Sequence, residues 1–130
     1  MLIYDLPWPP SANSYVRHSG NRRYFSPAGR RFLIQVLSQV EFRKRNAPDS
    51  IWQAPEGFLT VGLALYPPTK RQIDTDNRIK PTLDALVKAG VMFDDYLVQR
   101  VVAERRCVVK GGLCRVYISE YQSPNTEEII

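Results

Sequence analysis

Between residues 74 and 95 the chain places Asp74, Asp76, Asn77, Lys80, Asp84, Asp94 and Asp95. Carboxylates repel phosphates, so a basic protein gains nothing from gathering them unless a divalent cation sits between acid and phosphate. The grouping therefore points to a metal site working on phosphodiesters. On an extended segment Asp74 and Asp76, two apart, present their carboxylates to one side. Asp95 follows nineteen residues later, about one helix and a short return, which brings a third carboxylate back to the first two. Magnesium suits such a set, because it prefers oxygen ligands, retains waters and is completed by substrate phosphate. Without metal the acids repel one another, and at least one is expected to have a raised pKa.

Lys80 lies four residues after Asp76 and four before Asp84, so helical geometry puts all three on a face opposite Ile79 and Leu83. An ammonium there can meet the charge that builds on a phosphate under attack, or form an ordinary ion pair with Asp84, worth roughly 0–1 kcal/mol. Asp-x-Asp alone is weak evidence, since turns are rich in aspartates that hydrogen-bond their own backbone. The specificity comes from the full set.

The elements that must position these residues follow from pattern. Residues 1–6 read as a strand, and the loop Pro7-Trp8-Pro9-Pro10-Ser11-Ala12-Asn13 cannot be regular, because proline fixes φ and removes a donor. Residues 14–25 are basic with interleaved tyrosines, an irregular arm or a short hairpin. Ser26-Pro27 opens a helix, with Ala28, Phe32, Leu33, Val36, Leu37 and Val40 as its apolar stripe and Arg30, Arg31, Gln35, Gln39 and Arg43 opposite. Asn46, Pro48 and Pro55 break it. Residues 58–66 form a strand with Leu59, Val61, Leu63 and Leu65 on one face, ending at Pro67-Pro68. A second helix buries Ile79, Leu83, Leu86 and Val87, starts near Asn77 or later because of Pro81, and stops at Gly90. Residues 97–109 and 113–121 read as a β-hairpin, followed by a loose tail over 122–130. The class is α/β (α+β), one domain over 1–121, with a small mixed sheet of four to five strands and two main helices.

The net charge is +5, and its distribution is uneven. Residues 1–50 hold Arg17, Arg22, Arg23, Arg30, Arg31, Arg43, Lys44 and Arg45 against Asp5, Glu41 and Asp49, while the remainder is balanced. Such a patch favours a polyanion, with binding that weakens as salt rises. Arg17, Arg22, Arg23, Arg30, Lys70 and Arg71 are the candidate phosphate contacts, and Trp8, Tyr15 or Tyr24 could stack on an opened base. His18, the only histidine, fits a surface or DNA contact better than a catalytic base. Cys107 and Cys114 flank Lys110-Gly111-Gly112. A two-residue hairpin loop sets Cys107 against Val116, and a four-residue loop sets it against Cys114. Two cysteines without a secretory signal read as reduced thiols of a cytoplasmic protein, and no apolar run is long enough for a membrane.

The string from Asp74 through Asp-Thr-Asp-Asn-Arg-Ile-Lys-Pro-Thr-Leu-Asp to Phe93-Asp94-Asp95 resembles the signature of the RusA-type Holliday junction resolvases. The opening Leu6-Pro7-Trp8-Pro9-Pro10-Ser11-Ala12-Asn13-Ser14-Tyr15, the segment ending Ser26-Pro27-Ala28-Gly29 and the Lys110-Gly111-Gly112 turn are similar as well. The resemblance implies a small α/β homodimer, in a bacterial or phage-infected cell, that binds four-way junctions and makes paired nicks with magnesium or manganese and no organic cofactor. It carries the catalytic acids onto Asp74, Asp76 and Asp95, also the metal ligands, and the catalytic lysine onto Lys80. The family's arginine run before the first aspartate is replaced here by Lys70-Arg71-Gln72-Ile73, which alters contact with the junction rather than the chemistry.

The expected reaction is metal-assisted hydrolysis leaving 5′-phosphate and 3′-hydroxyl ends, with Lys80 stabilising charge, Asn77 and Asp94 supporting the site, and Asp84 positioning Lys80. Two symmetric cuts demand two chains about a two-fold axis. Two rivals fit the same residues: a junction-binding module that does not cut, and a small metal nuclease acting on other branched or single-stranded nucleic acid.

Overall fold

Leu2, Tyr4 and Leu6 alternate with exposed residues along β1 (Leu2–Leu6), and that period of two buries one face of the strand. The computed structural model describes residues 1–47 and 49–124. Pro48, and from residue 125 onward the expected tail, lie outside the described residues. The chain continues through a short helix α1 (Ala12–Tyr15), the paired strands β2 (Val16–Ser19) and β3 (Arg22–Phe25), and helix α2 (Pro27–Asn46). Strand β4 (Leu59–Tyr66) leads by a 3₁₀ turn (Thr75–Arg78) into α3 (Ile79–Lys88). A second 3₁₀ turn (Asp95–Leu97) then precedes β5 (Val98–Arg105) and β6 (Leu113–Glu120). The sheet order is β1-β6-β4-β5, mixed and four-stranded, with β2-β3 as a separate ribbon. The expected class, strand count and two main helices all appear. Of residues 14–25, Val16–Phe25 form the hairpin, while Ser14 and Tyr15 complete α1, which begins with Ala12 and Asn13, expected in an irregular loop.

The hairpin expected from residues 97–121 does not form. β4 lies between β5 and β6, parallel to the first and antiparallel to the second. A parallel neighbour needs a crossover, and α3 supplies it. After β5 the chain crosses the end of β4: the Arg106 amide donates to Leu65 O at 2.7 Å and the Val109 amide to Pro67 O at 3.0 Å. Charge explains the order. β4 carries no charged residue and alternates large apolar residues with Gly62 and Ala64, which suits a central strand, whereas Arg100, Glu104 and Arg105 suit an edge. Both cysteine alternatives fall with the hairpin. Cys114 is buried beside Leu6 and Leu65, and Cys107 is exposed outside any strand.

The core lies on one side of the sheet, where Leu59, Val61, Leu63, Leu65, Val116 and Ile118 meet Phe32, Val36 and Val40 of α2 and Leu83 and Leu86 of α3. Ser26 caps α2 by accepting the Gly29 amide at 2.9 Å. Leu37 of the expected stripe is exposed, and Gly29 is buried instead. No helix among the described residues is long and apolar enough to cross a membrane.

Candidate active site

β4 delivers the motif to one end of the sheet, and Pro67-Pro68 stops the strand there. Asp74 is extended, while Thr75–Arg78 turns at once into a 3₁₀ helix. The premise that Asp74 and Asp76 stand on an extended segment therefore fails: with three residues per turn, positions two apart diverge. The same turn removes Asp76 from the α-helical face shared by Lys80 and Asp84. Asn77 ties the turn to its first residue, its amide N–H donating to Asp74 O at 3.1 Å and its Nδ2 to Asp74 Oδ2 at 3.3 Å.

On the other side, Gly90 (φ +79°) ends α3, and the wholly buried Val91 and Met92 anchor the return. Asp94 caps the second 3₁₀ turn, its Oδ1 accepting the Tyr96 amide at 3.3 Å, the turn-shaping role expected of it. Asp95 opens that turn, and Lys80 Nζ donates to its Oδ2 at 2.8 Å. The hydrogen bond from Lys80, with help from Asp94, holds the Asp95 carboxyl below its ordinary range. That is the reverse of the raised pKa expected from crowded acids, because Asp95's nearest charged neighbour is a cation.

Asp84 does not position Lys80. Its Oδ2 accepts the Tyr15 hydroxyl and its Oδ1 stands 3.6 Å from Lys88 Nζ. Tyr15 is buried and packs edge-on against Phe25, so it offers no stacking face to a base; Trp8 is packed on the core beneath Arg78. Tyr24 remains exposed. Arg43, counted in the basic patch, is consumed internally: it donates to Ile3 O at 2.5 Å and Ile51 O at 3.1 Å and covers the Tyr4 ring. Arg17, Arg22 and Arg23 are exposed on the β2-β3 ribbon, Arg30 in the first turn of α2, and Lys70 and Arg71 on the loop before Asp74.

Arg78 was missed by sequence reasoning. It donates to Pro9 O at 2.7 Å and lies 5.1 Å over Trp8, clamping the proline-rich loop to the turn that carries Asp76 and Asn77. Burial lowers its pKa, and the charge of Asp74 opposes that. A stiff loop with a tryptophan, beside a motif containing one arginine, was the available signal.

Among the described residues no three His, Cys, Asp or Glu side chains stand close enough together to enclose a metal ion. The donors nevertheless fit a hard cation in kind. Asp74 and Asp76 carry exposed carboxylates, and the lowered pKa of Asp95 favours its anionic form. A cation here would draw its remaining ligands from water and phosphate, as magnesium commonly does.

A family model described as Endodeoxyribonuclease RusA matches residues 7–119. The chain is 34% identical over 123 residues to proteins named crossover junction endodeoxyribonuclease RusA from Shigella sonnei and Escherichia coli K12, covering 88% of this chain and 91% of each relative. It is 32% identical, with the same coverage, to the protein of that name from Enterobacteria phage 82. The matched span runs from the clamped loop through both aspartate turns to the end of the sheet, and on it this chain belongs to the RusA endodeoxyribonuclease family.

Proposed function

We propose that this protein is a crossover junction endodeoxyribonuclease, which resolves four-way DNA junctions by paired hydrolytic nicks. The observation that carries the reading is the Lys80–Asp95 pair, fifteen residues apart in the chain and joined at 2.8 Å beside the Asp74–Asn77 turn, within the span that matches the family. Asp74, Asp76 and Asp95 are the residues that would hold magnesium or manganese. When bound, the cation supplies Lewis-acid activation of the phosphate and of a water.

The chain's own residues do the rest. Lys80 presents a positive charge where negative charge accumulates on phosphorus oxygens. Asn77 keeps the Asp74 carboxylate oriented, and Asp94 fixes the turn that carries Asp95. The water oxygen bonds to phosphorus as the bond to the 3′ oxygen breaks, and the departing oxygen takes up a proton. The ends are a 5′-phosphate and a 3′-hydroxyl. Arg17, Arg22, Arg23, Arg30, Lys70 and Arg71 set the register on the duplex arms through phosphates. One site per chain and two symmetric cuts require a homodimer on a two-fold axis.

The test is cleavage of an end-labelled synthetic four-way junction with magnesium, using the unaltered protein, Asp76→Asn and Lys80→Ala, with binding followed in calcium. Paired symmetric nicks by the unaltered protein, lost in both variants that still bind, support the assignment. Normal junction binding with no cutting in any divalent metal would instead leave a binding module.

A further inference from the structure

Between the β2-β3 ribbon and the first turn of α3 lies an open cavity of about 370 Å³, with Lys80 in its lining. That volume lies in the range of sites that take small organic groups, about 300–1,000 Å³. Val16 and Pro81 give it carbon walls, Tyr15 belongs to the lining without offering a stacking face, and His18 and Arg23 stand on the ribbon side. Asp84 belongs to the lining too, and its charge decides what can enter. A carboxylate repels a phosphate but accepts from N–H groups, and its two oxygens have about four acceptor sites, of which the Tyr15 hydroxyl takes one on Oδ2 while Lys88 stands 3.6 Å from Oδ1. A flat heterocycle with apolar faces and an N–H edge satisfies walls and acceptor together. An anion would be met by Lys80, Arg23 and His18, which also belong to the lining.

We propose that this cavity receives one unstacked nucleobase, from a nucleotide adjoining the phosphate attacked at Lys80, with Asp84 accepting from its N–H edge. The proposal rests on the junction-cutting reading and deepens it: it makes Asp84 a specificity-determining residue, read through the base. Unstacking is costly in a continuous duplex and less so where pairing is already interrupted, so the cavity favours a branch point over a linear duplex.

Four-way junctions carrying 2-aminopurine at single positions on either side of the cut, bound in calcium, test it. One flanking position should change emission several-fold when saturated with the unaltered protein, and its neighbours far less. Ala12→Trp and Val16→Phe fill the cavity from two walls, and should bind the junction while leaving that emission near the free value. A second measurement needs no variant: an abasic nucleotide at the responding position should slow cutting by the unaltered protein tenfold or more. No responding position, an equal response from the filled variants, or undiminished cutting of the abasic junction overturns the proposal. Failure of the junction reading itself is told apart by the absence of nicks in the unmodified junction with magnesium.

Discussion

Lys80 and Asp95 form an ion pair across the gap between the first turn of α3 and the 3₁₀ turn before β5, with the two side chains 64% and 37% exposed. An exposed pair of this kind contributes little to stability, about 0–1 kcal/mol. Its value is positional: it brings a cation and an anion from separate elements to one place at the surface. Lys80→Ala should therefore leave the melting temperature nearly unchanged and lower junction cleavage by about 10²–10³, the cost typical of removing one donor to a developing charge. Thermal denaturation and single-turnover cleavage check this together. A large loss of stability with cutting retained would make Lys80 a structural residue.

The arginines divide into two kinds, and salt separates them. Arg22 lies exposed on the ribbon, whereas Arg43 holds two backbone carbonyls and covers Tyr4. Arg22→Ala should lower junction affinity and reduce the slope of log affinity against log salt by about 0.9, one phosphate's worth of counterion release. Arg43→Ala should leave that slope unchanged and cost about 1–3 kcal/mol of stability through the abandoned carbonyls. Binding titrations between low and moderate salt, with melts of both variants, read the difference.

The Tyr15 hydroxyl, buried and donating to Asp84, has its pKa pushed well above the usual tyrosine range, first by burial and then by the carboxylate. A folded-state pKa above the unfolded value means that the native state keeps a proton the unfolded chain gives up. Its contribution is thus complete below about pH 10 and declines as pH rises beyond it. Tyr4, raised by burial against the opposing effect of Arg43, acts in the same direction. The melting temperature should fall above pH 10, and fall less steeply in Tyr15→Phe, which also loses about 1.5–3 kcal/mol at neutral pH with its hydrogen bond to a charged group. Equal alkaline slopes in both proteins would count against Tyr15 as the source.

Cys107 is exposed and Cys114 is buried, its thiol pushed up to about 12 by desolvation. Thiolate is the reactive form, so at pH 8 one thiol should react quickly with a disulfide reagent and the other only on unfolding. Cys107→Ser should abolish the fast phase. Two fast equivalents in the native protein would show that the Leu113 end of β6 opens readily.

The two cysteines also mark where sequence reading stopped. Local periodicity revealed β1, β4, β5, β6 and the two main helices, and the aspartates were legible as a site from residue types alone, whereas the short helix α1 and the 3₁₀ turn that carries Asp76 were not. Strand order was not, because β5 and β6 are adjacent in sequence and a glycine pair between strands reads as a hairpin turn. The uncharged character of β4 was the signal that something must pair with it on both sides. Within the site, Asp84 and Lys80 share a helix face, and a four-residue spacing reads as a pair. The tertiary partners Tyr15 and Asp95, 69 and 15 residues away, took them apart. Such partners come from packing and have no local trace. Gly29 is a similar case, a glycine inside a helical pattern whose reason lies on another element.

A methyl group at Gly29 would stand 2.2 Å from Tyr15 O. That carbonyl cannot withdraw easily, since it accepts the Ser26 amide at 3.1 Å and ends the short helix whose tyrosine is held by Asp84. Alanine normally favours a helix interior over glycine by about 1 kcal/mol. Here the clash should outweigh that gain, and Gly29→Ala should destabilise by about 1–3 kcal/mol through separation of α1 from α2. Gly62 provides the contrast. A Cβ there meets Tyr117 Cβ at 3.7 Å, an ordinary contact, so Gly62→Ala should be neutral or stabilise by roughly 0.5–1 kcal/mol through reduced chain entropy. Urea denaturation of the two variants beside the unaltered protein gives both signs. Because α1 carries Tyr15 and lines the cavity next to Lys80, Gly29→Ala should also slow junction cutting more than Lys80-independent binding, while Gly62→Ala should leave both as they were. A Gly29→Ala variant as stable as the unaltered protein, or equal cutting by both variants, would disconnect the α1–α2 contact from the site.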